Sequence, residues 1–234
     1  MAVIIDADEL KLYVLPARNP NSDYFEQYEN AYNLWKKIWI PFWKRRGQEG
    51  HANSDTFIRQ DDLCAIFYRN ECIALTLQYV SDFRLQSCKD DSYFSILWHK
   101  STHKLLEPYL PYVYTGNQIT TAPQYRRGKL GFSLKDVLLG SCVNCFLERE
   151  ECQVMVGAMR NDRGVNDLAY RFGAELAHSY FQAECQFDMD LVLFNRKKVH
   201  ECTDLVARKI IRDLWDNRID GRKLSEIKDR KFVA

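Results

Sequence analysis

Between Gln118 and Glu150 the chain reads QITTAPQYRRGKLGFSLKDVLLGSCVNCFLERE. A β-branched run leads into a proline turn that carries Arg126, Arg127, Gly128, Lys129 and Gly131, and a long amphipathic helix follows. A turn of this kind at a helix start gathers unpaired backbone N–H groups, the positive end of the helix dipole and guanidinium charge. The chemistry implied is the binding of a phosphate, with the amides of Arg127–Ser133 and the side chains of Arg126 and Lys129 as the anchors. Bound that way, a phosphate would mark one end of a larger ligand.

Other residues could also do chemistry. His99, His103 and Glu107 are spaced i, i+4, i+8, which puts them on one face of a helix. No further ligand is spaced to complete a metal site, so a solvated polar face is the expectation. Cys142 and Cys145 form a CxxC with no second pair, among Val, Leu and Phe. Buried small side chains are expected there rather than zinc or redox work. Trp35, Trp39, Phe42 and Trp43 stand beside Lys36, Lys37, Lys44, Arg45 and Arg46. Packing is the first reading of this stripe; an acyl tunnel or a dock for an acidic carrier protein is the second.

The bulk properties narrow the field. In 234 residues, 46% hydrophobic and 28% charged, there is enough apolar material for a substantial core. A net charge of +1 argues against nucleic acid as a partner. No run of about 18 apolar residues offers a membrane span. The start, MAVIIDADEL, lacks the basic-then-apolar layout of a secretion signal. A cytoplasmic protein with its eight cysteines reduced is therefore expected.

Elements must position these groups. Leu10–Leu15 predicts a strand, and the segment from Ser22 or Asp23 to Arg46 a helix that Pro41 kinks or ends. Leu63–Tyr68 and Cys72–Val80 flank Arg69-Asn70-Glu71 as a hairpin. Asp90–Glu107 predicts a helix, Tyr112–Thr121 a strand and Leu130–Glu150 a helix. Gln153–Ala158 reads as a buried strand, Val165–Phe172 as a short helix ending at Gly173. Ala174–Ala183 and Phe187–Phe194 pair, and Lys197–Asn217 is a last helix. The order predicts an α/β (α+β) chain: one domain over residues 1–234, a mixed sheet with helices on both faces, a helical insertion at about 81–112 and a C-terminal helix at about 197–217.

With those residues in view, Ala122–Ser133 (APQYRRGKLGFS) resembles the pyrophosphate-binding motif of the GNAT (Gcn5-related N-acetyltransferase) superfamily. Lys129 stands where the motif's first glycine belongs, and Gly131 fills the last place. Met155–Ala174 (MVGAMRNDRGVNDLAYRFGA) resembles that family's apolar strand leading to a short Asn-containing helix. The resemblance covers roughly Tyr112–Phe194. It implies a mostly antiparallel central sheet with one splayed strand pair, and transfer of an acyl group from acetyl-CoA or another acyl-CoA to a small amine or amino-acid-like acceptor, with no metal. It also implies cofactor binding by Ile119, Thr120, Thr121, Arg126, Arg127, Gly128, Lys129, Leu130, Gly131, Phe132, Ser133, Asn161 and Asn166. Main-chain groups of Ile119–Thr121 would polarise the thioester carbonyl.

The catalytic groups stay open among several residues. Tyr170 is the candidate thiolate acid, one step from the family's usual position. His178 leads the candidate bases, beside Glu175, Tyr180, Asp188 and Asp190. Relatives of the N-acyl amino acid synthase and acyl-homoserine-lactone synthase branches make acyl carrier protein an alternative donor. A silent acyl-CoA-binding module, and a turn that binds another nucleotide, are the rival readings.

Overall fold

The computed structural model describes residues 6–51, 53–98, 100–126, 131–161, 164–183 and 186–222. Strands β1 (Leu10–Pro16), β2 (Asp62–Tyr68), β3 (Glu71–Asp82), β4 (Tyr112–Thr121), β5 (Val154–Arg160), β6 (Glu175–Gln182), β7 (Phe187–Asn195) and β8 (Ile219–Asp220) form one mostly antiparallel sheet in the order β6-β7-β5-β4-β3-β2-β1-β8. Flanking it are helices α1 (Phe25–Lys44), α2 (Ser54–Ile58), α3 (Gln86–Lys89), α4 (Leu134–Glu148), α5 (Asn166–Tyr170) and α6 (Leu205–Asp216). The chain divides into two compact units, residues 1–78, 118–141 and 205–234, and residues 79–117 and 142–204.

In the first unit β2 and β3 form the predicted hairpin, turning at Arg69, whose φ is +56°. β1 pairs antiparallel to β2 from Leu10↔Tyr68 to Pro16↔Asp62. These strands are apolar and almost wholly buried, which is why they read as strands without strict alternation. α1 begins after a 3-10 turn capped by Asn21, whose side chain accepts from Asp23 N at 3.1 Å. Pro41 does not end it: the helix runs on to Lys44, since a proline so near the C-terminus removes only one backbone donor. Its buried face carries Ala31, Leu34 and Trp35, and Trp35 packs edge-on against Phe57 of α2. α2 lies in a stretch to which the sequence reading assigned no element; Asn53 caps it by accepting from Thr56 N.

In the second unit β7 pairs antiparallel with both β5 and β6. β4 pairs parallel with β5 from Val113↔Val154 to Thr115↔Val156. The helix expected over Asp90–Glu107 does not form. A π turn at Tyr93–Leu97 and 3-10 turns at Lys100–Leu105 and Glu107–Tyr109 take its place. The cause is packing: Tyr93, Phe94, Trp98 and Leu106 all enter one core with Phe83, Val113, Val154 and Leu193. In place of one α-helix the segment coils around these aromatics in π and 3-10 turns. The last helix starts at Leu205 rather than Lys197, because Lys198 N and Val199 N are held by Asn195 O and Thr203 N by Arg171 O.

Candidate functional site

The predicted anchor turn begins at the end of β4. Gln118 has φ +52°, a left-handed break that costs a non-glycine residue roughly 1–2 kcal/mol. Three contacts offset that cost. Trp35 Nε1 donates to Gln118 Oε1, Thr120 Oγ1 donates to Gln118 O at 2.6 Å, and Trp39 Nε1 donates to Thr120 Oγ1 at 2.8 Å. Two tryptophans of α1 thus fix the backbone at the break, a structural use of the aromatic stripe. Thr120 and Thr121 are buried, and Ala122 N donates to Ile73 O at 2.8 Å.

The chain then turns at Pro123–Tyr125. Arg126 Nε donates to Thr121 O at 2.9 Å and Thr121 Oγ1 at 3.3 Å, so this guanidinium closes the turn onto the strand. Glu71, at the hairpin tip, accepts from Gln124 Nε2 at 2.7 Å and Tyr125 OH at 2.9 Å. Burial above all, and then the bond to Glu71, push the Tyr125 phenol up to about 12. Neither the Glu71 clamp nor the tryptophan pair was foreseen; they join residues about 50 to 80 apart, and no local pattern announces them. Arg127, Gly128, Lys129 and Leu130 lie outside the described residues. Gly131 is exposed with φ +70°, and Ser133 Oγ accepts from Asp136 N at 3.3 Å at the start of α4.

The second cluster centres on Asp190 of β7. It is 4% exposed, and its carboxylate accepts four hydrogen bonds. Oδ1 accepts from Asn161 Nδ2 at 2.9 Å and Ser179 Oγ at 2.6 Å; Oδ2 accepts from Asn166 Nδ2 at 2.8 Å and Tyr170 OH at 3.2 Å. A carboxylate offers about four lone-pair sites, so all are used. Burial opposes the charge most strongly, but the bonds from Ser179, Asn161, Asn166 and Tyr170 together hold the carboxyl below its ordinary value. A carboxylate so stabilised takes up a proton less readily than an ordinary one. Tyr170 moves the other way: burial first, then the Asp190 charge, raises its phenol.

Solved structures with this arrangement of elements exist. The mosquito arylalkylamine N-acetyltransferase like 5b superposes with a TM-score of 0.57 at 12% identity, over 79% of this chain and all of its own. The CoA-dependent acyl-homoserine lactone synthase BjaI, solved with SAM and isopentyl-CoA, matches with 0.56 at 11%, over 90% and 93% of the two chains. The chain has the GNAT fold. FeeM, an N-acyl amino acid synthase from uncultured soil microbes, matches with 0.53 at 8%, over 82% and 94%. No protein-family description matches the sequence, and neither does any curated protein.

On this GNAT fold the sequence-predicted residues fall into separate groups. Ile119, Thr120, Thr121 and Arg126 gather at the end of β4, and Phe132 and Ser133 precede α4. Asn161, Asn166 and Tyr170 meet on Asp190, with Ser179, which the sequence reading did not single out. His178 does not join them. It is exposed on β6 and stacks on Tyr180, ring centroids 6.2 Å apart, after a register shift between Leu176 and His178. His99 lies outside the described residues, while His103 Nε2 sits 2.8 Å from Phe94 O and packs on Phe83. Among the described residues no three His, Cys, Asp or Glu side chains group as metal ligands. Cys142 and Cys145 are buried on α4, Cys142 Sγ lying 3.7 Å from Met155 Sδ. Among the described residues no helix is long and apolar enough to cross a membrane.

Proposed function

We propose that the protein is an acyltransferase that moves an acyl group from a coenzyme A thioester to an amine, with both substrates bound at once. The observation that carries this reading is the left-handed break at Gln118, tied down by two tryptophans, on a strand that passes through the Pro123–Tyr125 turn into α4. A break of this kind turns backbone groups of Ile119–Thr121 out of the regular ladder, where they can hydrogen-bond an extended ligand arm and a thioester oxygen. The start of α4, with Ser133 at its cap, supplies amide donors and dipole for the ligand's phosphates. Arg127, Gly128, Lys129 and Leu130 complete the anchor in this proposal. The CoA dependence of BjaI supports the donor, and the arylalkylamine N-acetyltransferase likeness supports an amine acceptor.

Transfer needs a nucleophilic amine, polarisation of the thioester and departure of a thiolate. The departing thiolate takes up a proton at neutral pH, below the ordinary thiol pKa near 8.5, and Tyr170, its phenol raised by burial, is the weaker acid of the two. FeeM supports a second reading within the same chemistry, N-acylation of an amino acid.

The test is release of free thiol from acetyl-CoA in the presence of a panel of primary amines and amino acids. Arg127→Glu places a negative charge among the phosphates and should weaken coenzyme A binding by tenfold or more, given that charge-assisted bonds contribute about 1.5–3 kcal/mol. Unchanged affinity in this variant, or displacement of coenzyme A by equimolar ATP, would overturn the assignment.

A further inference from the structure

The Asp190 cluster has a hydrogen-bond polarity that suits a different task from acid catalysis. An ionised carboxylate only accepts, so each of its four partners must turn a hydrogen toward it. For Asn161 and Asn166 this fixes the amide flip, with Nδ2 facing inward. For Tyr170 and Ser179 it commits the only hydroxyl proton each has. Tyr170 and Ser179 retain acceptor capacity alone, while each amide keeps a second N–H beside its carbonyl oxygen. Asn166 Oδ1 is in addition buried, with no donor among the described residues, and an acceptor left so is costly.

Charge points the same way. Asp190 is buried, and among the described residues its partners are all neutral, with no Lys, Arg or His. Among the described residues, Asp190 from β7 and Asp167 from α5, both acidic, raise the Tyr170 phenol by their charge. Ser179 is exposed and Tyr170 half-buried, so the cluster reaches the surface. A negative patch with outward-facing hydroxyl oxygens and a buried carboxylate behind it is complementary to a ligand that donates N–H groups and carries positive charge.

We infer that Asp190 is a positioning residue that turns the Tyr170 hydroxyl proton inward, so that Tyr170 Oη receives an N–H group of a primary amine. This rests on the acyl-transfer reading only for the amine's fate; amine capture stands or falls by itself. Tyr170 is on this account a recognition group for the acceptor, with Asp190 acting through it.

The experiment uses the full chain with 13C at the Cζ position of tyrosine, the Tyr170 resonance being identified by its loss in Tyr170→Phe. Primary amines with aromatic, aliphatic and α-carboxylate substituents are titrated in, each beside the alcohol of the same shape. At least one amine should shift the Tyr170 resonance while its alcohol does not, and Asp190→Asn should weaken that amine's apparent affinity about tenfold, the order expected when a charge-assisted hydrogen bond is lost. In the same variant the Tyr170 titration should move down in pH, since the neighbouring negative charge is removed. If Asp190→Asn does not fold, Asn166→Leu serves as the second variant and should likewise weaken the amine. No response to any amine, or equal affinity in the variants, overturns the inference. A response without thiol release from acetyl-CoA supports amine capture and counts against acyl transfer. With an active enzyme, Asp190→Asn and Tyr170→Phe should each raise KM for the amine and leave that for acetyl-CoA unchanged, without adding in the double variant; a lost kcat at unchanged amine KM would instead restore Tyr170 as an acid.

Discussion

Gly140 lies in the middle of α4, where a glycine is ordinarily unfavourable, and its replacement by alanine tests how closely α4 and α6 are packed. A Cβ built there would sit 2.4 Å from Ile211 Cδ1, 2.8 Å from Cγ1 and 3.1 Å from Cγ2. All three are closer than two carbons can sit without a shift of one helix or a change of rotamer. Overfilling a packed core costs about 1–3 kcal/mol. Alanine recovers up to about 1 kcal/mol of that, because it is the better helix former. The net expectation for Gly140→Ala is a loss of up to about 2 kcal/mol, or a Tm lower by as much as roughly 8 °C for a chain of this size. Circular dichroism melts of the two proteins measure it. Ile211→Val removes the nearest atom, so the double variant should lose about 1 kcal/mol less than the two single changes added together. A Tm for Gly140→Ala at or above that of the parent, or strict additivity with Ile211→Val, would show that the contact is not tight and that glycine stands there for another reason.

Two further outcomes follow from the same geometry. Trp39→Phe removes the donor to Thr120 Oγ1 and should cost about 1 kcal/mol of stability, read from urea melts, while weakening acetyl-CoA binding several-fold by calorimetry; intact binding would detach the Gln118 break from the ligand. The Asp190 carboxyl is depressed in the folded state, so its contribution to stability is fully present above the ordinary carboxylate value near 4 and is lost as the pH falls through the lower folded value. The difference in Tm between the parent and Asp190→Asn should accordingly shrink below about pH 4, and a difference that stays constant from pH 3 to 7 would contradict that account.

Much of the scaffold was legible because its signals are local. The hairpin followed from two apolar runs around Arg69-Asn70, and the strand at Tyr112–Thr121 was placed to the residue. The stretch from Asp90 to Glu107 misled because helical periodicity and an aromatic cluster produce similar short-range patterns; only the packing of Trp98 and Phe94 against Val113 and Val154 decides between them. The site was legible in part. Asn161, Asn166, Tyr170 and Asp190 could each be singled out, but not the convergence of the first three on the fourth, because Asp190 meets them from a separate strand. An aspartate inside the apolar run FDMDLVLF was the available clue: an acid placed among core residues must recruit donors from elsewhere in the chain. Gln118 gave no such clue, since nothing in its own neighbourhood calls for a left-handed backbone.

The two-residue strand β8 has a practical consequence out of proportion to its length. It pairs parallel to β1 at Tyr13↔Ile219 and Val14↔Asp220, and Gly221 N adds a bond to Val14 O. Arg222 then clips the segment down through Asp220 and the buried Asp62, at 2.8 Å and 3.6 Å. Cutting the gene just after α6 would bare the rim of β1, leaving a row of unsatisfied peptide groups open to a neighbouring molecule. Clones that stop before residue 222 should accordingly yield insoluble material, whereas extensions placed beyond it leave the clip in place.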